Sequence, residues 1–142
     1  MLQSNKKVLF HQTKREYADL ILRSLMFKPG SRGLAGGGIY FAESPPATKL
    51  KCHAGGVILQ ATVLLGRLKH IRHHYTGGTP STASITGVSL QAEGFDSVHL
   101  SGLHTGDEWI VYFTDQVDQG SITELKSWQG KDIKEFLNMQ KA

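Results

Sequence analysis

The sequence predicts a mixed α+β fold in which mainly antiparallel β-sheets are flanked by short helices. Segments with the alternating or continuously apolar pattern of strands outnumber those with helical spacing. Short turns join several of these strand segments, as in antiparallel sheets. With 142 residues, of which 39% are hydrophobic, the chain has the size and composition of one domain, residues 1–142.

The first predicted elements are a buried strand over residues 6–12 and a helix directly after it. Thr13 and Glu16 have the spacing of a capping box, which predicts the start of this helix. The proline–glycine pair at 29–30 predicts its end. One face of the helix is apolar, with the residues Tyr17, Leu20, Ile21 and Leu25.

A glycine-rich loop over residues 30–38 leads into a predicted strand over 39–43. Ser44, followed by two prolines, is typical of a helix N-cap, and the glycine pair at 55–56 predicts the end of that short helix. The strongest strand pattern covers residues 57–65. It is apolar on both faces, which predicts a central position in its sheet.

The second half of the chain contains mainly strands. A polar loop is predicted over 72–81, a weak helix over 82–92 and a turn over 101–106. A helix is predicted near the C-terminus, over 131–141. The other predicted strands cover residues 68–71, 95–100, 107–113 and 122–128.

Composition and charge narrow the class of protein. No apolar run approaches the ~20 residues that a membrane-spanning helix needs. Residues 1–7 are polar, and Cys52 is the only cysteine, which together favour a reducing, intracellular location in the cytoplasm or nucleus. The net charge of +4 favours anionic ligands. Lysines and arginines are scattered, so the charge falls short of a nucleic-acid-binding footprint.

The glycine-rich segment is not a known phosphate-binding motif. No Lys-Ser or Lys-Thr follows it, and it precedes a strand instead of joining a strand to a helix. Two interpretations remain. It is either a flexible loop whose last glycines allow close approach of the backbone, or one wall of a ligand cleft, in which Arg32 would meet a phosphate.

Seven histidines raise the question of a metal site. His70, His73 and His74 are clustered, but their spacings do not repeat as in a structural zinc site, so no metal is predicted. Cys52 and His53 adjoin in sequence, which is weak evidence for a nucleophilic cysteine.

Three polar residues, His11, Tyr40 and Glu108, each belong to a different predicted strand. Together they would suit a cleft that binds an uncharged ring, two riboses and a developing positive charge. Breaking the bond between nicotinamide and ribose gives an oxocarbenium-like transition state. Nicotinamide departs as a neutral molecule and needs no general acid, so one carboxylate suffices. From composition alone, the favoured interpretation of Glu108 is a charged residue at a turn just before a strand.

Four segments resemble one family in order and spacing over roughly residues 8–117. They are V-L-F-H-Q-T, G-G-G-I-Y-F-A-E-S, G-V-I-L-Q-A-T-V-L-L-G and G-D-E-W-I-V-Y. They are similar to the catalytic domain of poly(ADP-ribose) polymerases, in the diphtheria-toxin-like branch of ADP-ribosyltransferases. G-F-D-S-V at 94–98 resembles compact fungal and protist members. The resemblance implies the ADP-ribosyltransferase fold, with NAD as the substrate.

The resemblance also implies a role for each site residue. His11 would hydrogen-bond a ribose hydroxyl on the adenosine side of NAD, and Thr13 would add a second ribose contact. Tyr40 would stack on the nicotinamide ring. Thr48 occupies the place of a serine that binds the carboxamide. Glu108 would bind a hydroxyl of the nicotinamide ribose and polarise the bond that breaks.

Two positions depart from the family. Gln12 replaces a glycine whose backbone N–H and C=O hold the carboxamide; glutamine offers the same groups unless the backbone needs a positive φ, which would cost ~1–2 kcal/mol. A second stacking tyrosine is absent, and His53 is the flat ring available in that stretch.

The expected activity is NAD-dependent mono-ADP-ribosylation of a protein or nucleic-acid acceptor, by a monomer, with release of nicotinamide. The short segment 101–106 favours mono- over poly-ADP-ribosylation. Alternatives are a binding module for NAD or ADP-ribose, an enzyme that transfers ADP-ribose to water, and a transferase specific for nucleic acid. The segment Arg72-His73-His74-Tyr75 suggests the last of these.

Overall fold

The computed structural model describes residues 5–49 and 56–126. Within these ranges the protein is mixed α+β, as predicted. The helices are α1 (Arg15–Ser24), α2 (Pro45–Lys49) and α3 (Gly87–Ala92), and 3₁₀ turns cover Ser81–Ser84, Thr114–Gln116 and Gln119–Ser121. The strands are β1 (Lys6–Thr13), β2 (Ile39–Phe41), β3 (Val57–Leu64), β4 (Leu68–Arg72), β5 (Ser97–Ser101), β6 (Glu108–Val111) and β7 (Thr123–Glu124).

The strands form two sheets. The first has the order β1-β3-β7 and is antiparallel throughout, with β3 in the centre as its two apolar faces predict. The second has the order β2-β6-β5-β4, in which only β4 and β5 run parallel. The parallel pair places the ends of β4 and β5 at the same edge of the second sheet, where β6 begins.

Strand β6 separates two hydrophobic cores because its side chains alternate between the faces of the second sheet. Trp109 and Val111 pack into the larger core, which lies against the first sheet. Ile110 and Tyr112 face the smaller core, which contains Leu90 of α3. Odd- and even-numbered residues of β6 therefore project from opposite faces of the sheet, each into a different core.

A backbone bridge joins the two sheets. Phe10 of β1 and Ala42, directly after β2, exchange both N–H···O=C bonds, each 2.8 Å long. The bridge between them is isolated, so β1 and β2 pair at this point and then separate. This separation opens a space beside Gln12 and Tyr40, and both residues line the same pocket.

The predicted capping box is wrong. Thr13 remains in β1, paired with Val57, and the N-cap of α1 is Lys14, which makes no side-chain capping bond. Since the helix starts one residue later than predicted, Glu16 occupies the second helical position and lacks the spacing that a capping box requires.

Two predicted element ends also differ from the structure. Helix α1 stops at Ser24, well before the proline–glycine pair, because Leu25 adopts a left-handed conformation (φ 57°) and its N–H bonds to Ile21 O. Strand β6 stops at Val111, since the Gln116 side-chain oxygen accepts the N–H groups of Tyr112 and Phe113 and turns the chain. In contrast, the Ser44 hydroxyl accepts the N–H of Ala47 at the start of α2, as predicted.

The predicted C-terminal helix over 131–141 and the last two residues of the predicted strand over 122–128 lie outside the described residues. So do Cys52, His53 and Gly55.

Among the described residues, none of the helices has both the length and the apolar character needed to cross a bilayer.

Candidate functional site

Two adjoining pockets lie where the two sheets meet. The first has a volume of about 360 Å³ and the second about 570 Å³. His11, Arg32 and Tyr40 line both, so these residues form the boundary between the pockets. The first pocket also contains Gln12, Thr48 and Glu108, and the second contains Thr13. Seven of the eight residues predicted for the site thus line these two pockets, and the eighth, His53, lies outside the described residues.

Tyr40 and Glu108 reach the first pocket because of strand register. Tyr40 of β2 pairs with Ile110 of β6, so both side chains project from the same face. Glu108 lies two residues before Ile110 and shares that face. Tyr40 and Glu108 are therefore diagonal cross-strand neighbours, for which the spacing is roughly 7–8 Å. A phenol ring and a carboxylate thus converge on one cavity.

The separation of β1 and β2 exposes backbone groups to the first pocket. In a continued antiparallel ladder, the next pair after Phe10 and Ala42 would be Gln12 and Tyr40. Instead, the C=O of Tyr40 accepts a bond from the His11 ring, 2.8 Å away. Gln12 N–H and C=O point the same way as those of Phe10, towards the gap. The φ angle of Gln12 is not positive, so glutamine carries no strain there.

The tautomer of His11 follows from its partner. A carbonyl oxygen only accepts, so Nδ1 carries the proton that is donated to Tyr40 O. Burial lowers the pKa of His11 below its ordinary value of 6.5, although the bond to Tyr40 opposes this shift. Phe27 and Phe41 hold the ring by edge-on contacts at 5.4 and 5.9 Å between centroids. The ring is neutral at pH 7, and Nε2 presents a lone pair that accepts hydrogen bonds.

The hydroxyl of Tyr40 secures the glycine-rich loop. It donates to Gly36 O (2.6 Å) and accepts from Ala35 N–H (2.9 Å). Burial, reinforced by the negative charge of Glu108, raises the pKa of this phenol to about 12. A side chain at Gly33 would collide with the Tyr40 hydroxyl and ring. The loop therefore packs closely on the tyrosine, and its residues Gly33 and Leu34 line the first pocket.

A directed chain of hydrogen bonds crosses the floor of the first pocket. Gly56 N–H donates to Gln12 Oε1 (3.0 Å), and Gln12 Nε2 donates to Thr48 Oγ1 (2.9 Å). The Thr48 hydroxyl donates to Pro45 O (2.6 Å). Both side chains are buried. The chain joins the end of β1, helix α2 and the segment that enters β3.

The second pocket is wider and largely apolar. It runs between α1 and the segment that follows this helix. Its walls include Leu20, Ile21 and Met26, and its floor includes Thr13. Tyr17 and Leu20 are more than half exposed, although both are large apolar side chains. Their exposure is explained by their position on a pocket wall, where apolar surface stays open for a ligand.

The sequence patterns do not predict two groups of the site. Tyr112 donates its hydroxyl to Ala35 O (2.6 Å), so it secures the glycine-rich loop alongside Tyr40. Its position two residues after Ile110 is the only signal for its orientation. The side chain of Gln12 is the second group, because its partners Thr48 and Gly56 are 36 and 44 residues away along the chain.

The clustered histidines occupy a different edge of the second sheet. His70 Nδ1 contacts His99 Nδ1 at 2.8 Å, and His99 Nε2 contacts Asp107 at 2.8 Å. His99 also stacks on Trp109. Within the described part of the chain, no group of three or more histidine, cysteine or acidic side chains is arranged to hold a metal ion.

Comparisons with known proteins add no assignment. The chain matches no protein-family model, and a search of curated proteins finds no match either.

Proposed function

We propose that this protein is a NAD-dependent ADP-ribosyltransferase whose two sheets form the ADP-ribosyltransferase fold. The observation that carries the proposal is the convergence of Tyr40, Glu108 and a neutral His11 on one cleft. A flat aromatic ring, a carboxylate and a hydrogen-bond acceptor are the groups required to bind nicotinamide, stabilise a cation and hold a ribose. The resemblance of the four sequence segments supports the same conclusion.

The nicotinamide end of NAD fits the first pocket. The ring would stack against Tyr40, whose hydroxyl is already engaged by the glycine-rich loop and holds the phenol in place. The carboxamide would bond to the backbone N–H and C=O of Gln12 where β1 leaves β2. Thr48 Oγ1 accepts from Gln12 Nε2 with one lone pair, and its second lone pair would accept the carboxamide N–H.

The adenosine end fits the second pocket. His11 Nε2 would accept a ribose hydroxyl, and Thr13 lies on the same side of β1 for a second ribose contact. Adenine would rest on the apolar wall of Leu20 and Ile21. Arg32 lines both pockets, which suits the pyrophosphate that joins the two nucleosides.

The proposed reaction breaks the bond between ribose C1′ and the nicotinamide nitrogen. The bonding electrons go to nicotinamide, which departs as a neutral molecule, and positive charge develops on the ribose. Glu108 would bind a ribose hydroxyl and stabilise that charge. The acceptor then forms a bond to C1′ and loses its proton to solvent or to Glu108.

The acceptor would approach Glu108 from the edge where β4 and β5 end. The loop after β4 carries Tyr75, which stacks on His104 with ring centroids 4.2 Å apart. His73 packs edge-on against the same tyrosine. Stackable rings beside Arg72 suit a nucleic-acid acceptor. The short connection between β5 and β6, residues 102–107, favours transfer of a single ADP-ribose unit.

The variant Glu108→Gln tests the proposal. Nicotinamide release from NAD is expected to fall by about 10²–10³-fold, since the amide keeps the shape of the side chain but not its charge. NAD affinity, measured by calorimetry, is expected to stay within a few-fold. The neighbouring variant Asp107→Asn, which alters a side chain bonded to His99, serves as the matched control. Equal release by the wild type and Glu108→Gln would overturn the assignment.

A binding module for NAD or ADP-ribose is the alternative, because Gln12 and the missing second tyrosine depart from the family. Incubation with NAD followed by detection of free nicotinamide separates the two. Labelled NAD offered with RNA, DNA and protein then identifies the acceptor, and ADP-ribose formed without any acceptor would indicate a hydrolase.

A further inference from the structure

We propose that the Gln12 side chain, acting with Thr48, determines the specificity of the first pocket for an uncharged primary amide. The inference rests on the proposed function, since the amide would be the carboxamide of the departing nicotinamide. It goes beyond the backbone contact expected at this position, because a glycine there has no side chain that reaches Thr48.

The orientation of the Gln12 amide follows from its partners. A backbone N–H only donates, so the atom that faces Gly56 is the oxygen, Oε1. The nitrogen Nε2 must then face Thr48, and the hydroxyl oxygen of Thr48 must accept from it. The Thr48 proton is therefore directed to Pro45 O. All three hydrogen bonds run in one direction, from Gly56 to Pro45.

This orientation defines what the pair still offers to a ligand. An amide nitrogen carries two protons, and one remains on Nε2 after the bond to Thr48. A hydroxyl oxygen has two lone pairs, and one remains on Thr48 Oγ1. Both residues line the first pocket, with 2.9 Å between these two atoms. The pair thus presents a donor beside an acceptor, which complements the C=O and NH₂ of a primary amide.

The same arrangement disfavours a carboxylate. The free lone pair of Thr48 needs a donor, and a carboxylate brings only acceptors. The Thr48 hydroxyl does not reorient readily, because Gln12 Nε2 already donates to its oxygen and Pro45 O receives its proton. An unpaired acceptor facing an anion in a buried site is costly. An aromatic ring with a primary amide group is therefore expected to bind, and the corresponding carboxylate is not.

The test measures benzamide, benzoate and ADP-ribose binding by calorimetry. Wild-type protein is expected to bind benzamide at least about tenfold more tightly than benzoate. In Gln12→Glu, which keeps an oxygen for Gly56 but replaces the donor to Thr48, benzamide affinity is expected to fall by about tenfold or more. ADP-ribose affinity is expected to stay within about twofold, since that ligand lacks the amide.

One control and one further test variant accompany Gln12→Glu. Gln91→Glu introduces the same charge on exposed α3 and is expected to change neither affinity. Thr48→Val, which keeps the volume but removes the lone pair, is expected to lose benzamide binding and keep ADP-ribose binding. If Gln12→Glu does not fold, two measurements still test the inference. The first is benzamide binding to Thr48→Val. The second is binding of N,N-dimethylbenzamide to wild-type protein, which is expected to be weak because this ligand lacks the N–H donors.

The kinetics with NAD separate recognition from a structural role. A contact to the carboxamide in the ground state predicts a raised KM with a smaller change in kcat for Gln12→Glu. An equal loss of benzamide and ADP-ribose affinity in Gln12→Glu would indicate a structural role and overturn the inference. Unchanged benzamide affinity in this variant, or no benzamide binding by the wild type, would also overturn it.

The outcomes also separate this inference from the proposed function. Nicotinamide release with benzamide binding that does not depend on Gln12 would leave the transferase and remove the specificity role. Benzamide binding that depends on Gln12, without release of nicotinamide from NAD, would support the specificity role and contradict the transferase activity.

Discussion

At the scale of single residues, His11 has the most constrained chemistry in the site. Its Nδ1 proton is committed to Tyr40 O, and two phenylalanine rings fix the plane of the imidazole. Burial lowers its pKa, so the neutral form is the one that the folded protein holds. A neutral ring with one proton placed by the backbone has a defined acceptor on the other side.

His11 therefore predicts a pH dependence of stability. The unfolded chain protonates this histidine near pH 6.5, whereas the folded protein resists protonation until the pH reaches its lowered pKa. Between these two values the unfolded state binds more protons, so the free energy of unfolding falls as the pH falls. Above about pH 6.5 the effect is absent.

The measurement is urea denaturation between about pH 5 and 7.5 for the wild type and His11→Asn. Asparagine places a donor near the position of Nδ1 but does not titrate, so the variant is expected to show a shallower dependence of unfolding free energy on pH. Identical slopes in the two proteins would contradict the prediction.

Sequence patterns identified site residues where strand periodicity determines which way a side chain points. His11, Tyr40 and Glu108 each belong to a strand, and a period of two fixes their faces. Strand periodicity does not predict the partners of the Gln12 side chain, because they belong to a helix and a loop that are distant in sequence. Local spacing carries no information about such contacts.

At the scale of elements, the ends of helices and strands depend on contacts that spacing does not reveal. Thr13 had the spacing of a capping residue, but its backbone stays paired with Val57 in β1, and β-sheet pairing prevails over the local capping motif. Strand β3, in contrast, was predicted nearly to the residue and as central, because burial on both faces leaves a continuous apolar run.

The left-handed Leu25 at the end of α1 predicts that glycine is more stable than alanine at this position. A left-handed φ costs a residue with a side chain about 1–2 kcal/mol, whereas glycine adopts it freely. Leu25 is 40% exposed, so its side chain is partly buried and its removal has a cost of its own. Leu25→Gly is therefore expected to have a free energy of unfolding about 0.5–1 kcal/mol higher than Leu25→Ala, which lacks the same side chain.

Chemical denaturation of three proteins checks this expectation. Leu25→Ala removes the leucine side chain but retains the unfavourable backbone conformation, so it is the matched control. If the glycine variant is no more stable than the alanine variant, the left-handed backbone at this helix end does not lower the stability of the protein.

At the scale of the whole molecule, the bridge between Phe10 and Ala42 connects the two sheets directly through their backbones. Each sheet supplies part of the site: His11, Gln12 and Thr13 come from the first, and Tyr40 and Glu108 from the second. The relative position of these groups therefore depends on the bridge as well as on the shared core.

Removal of the Ala42 N–H tests the bridge. Ala42→Pro deletes the bond to Phe10 O, and it is expected to destabilise the protein by about 2–4 kcal/mol and to weaken NAD binding. Ala42→Gly keeps the N–H and is expected to cost about 1 kcal/mol or less. Thermal unfolding and calorimetry provide the measurements. Equal losses in both variants would show that the backbone bond contributes little.

The parting of β1 from β2 has a consequence for ligand design. In the cleft, the antiparallel pairing of β1 with β2 stops after Phe10 and Ala42. The N–H and C=O of Gln12 face the gap where the pairing would have continued, and the C=O of Tyr40 accepts a bond from His11 instead. A small cyclic lactam imitates one peptide unit and would pair with these groups of Gln12. Compounds of this shape are expected to occupy the cleft through pairing with the main chain of Gln12, reinforced by the side chains of Gln12 and Thr48.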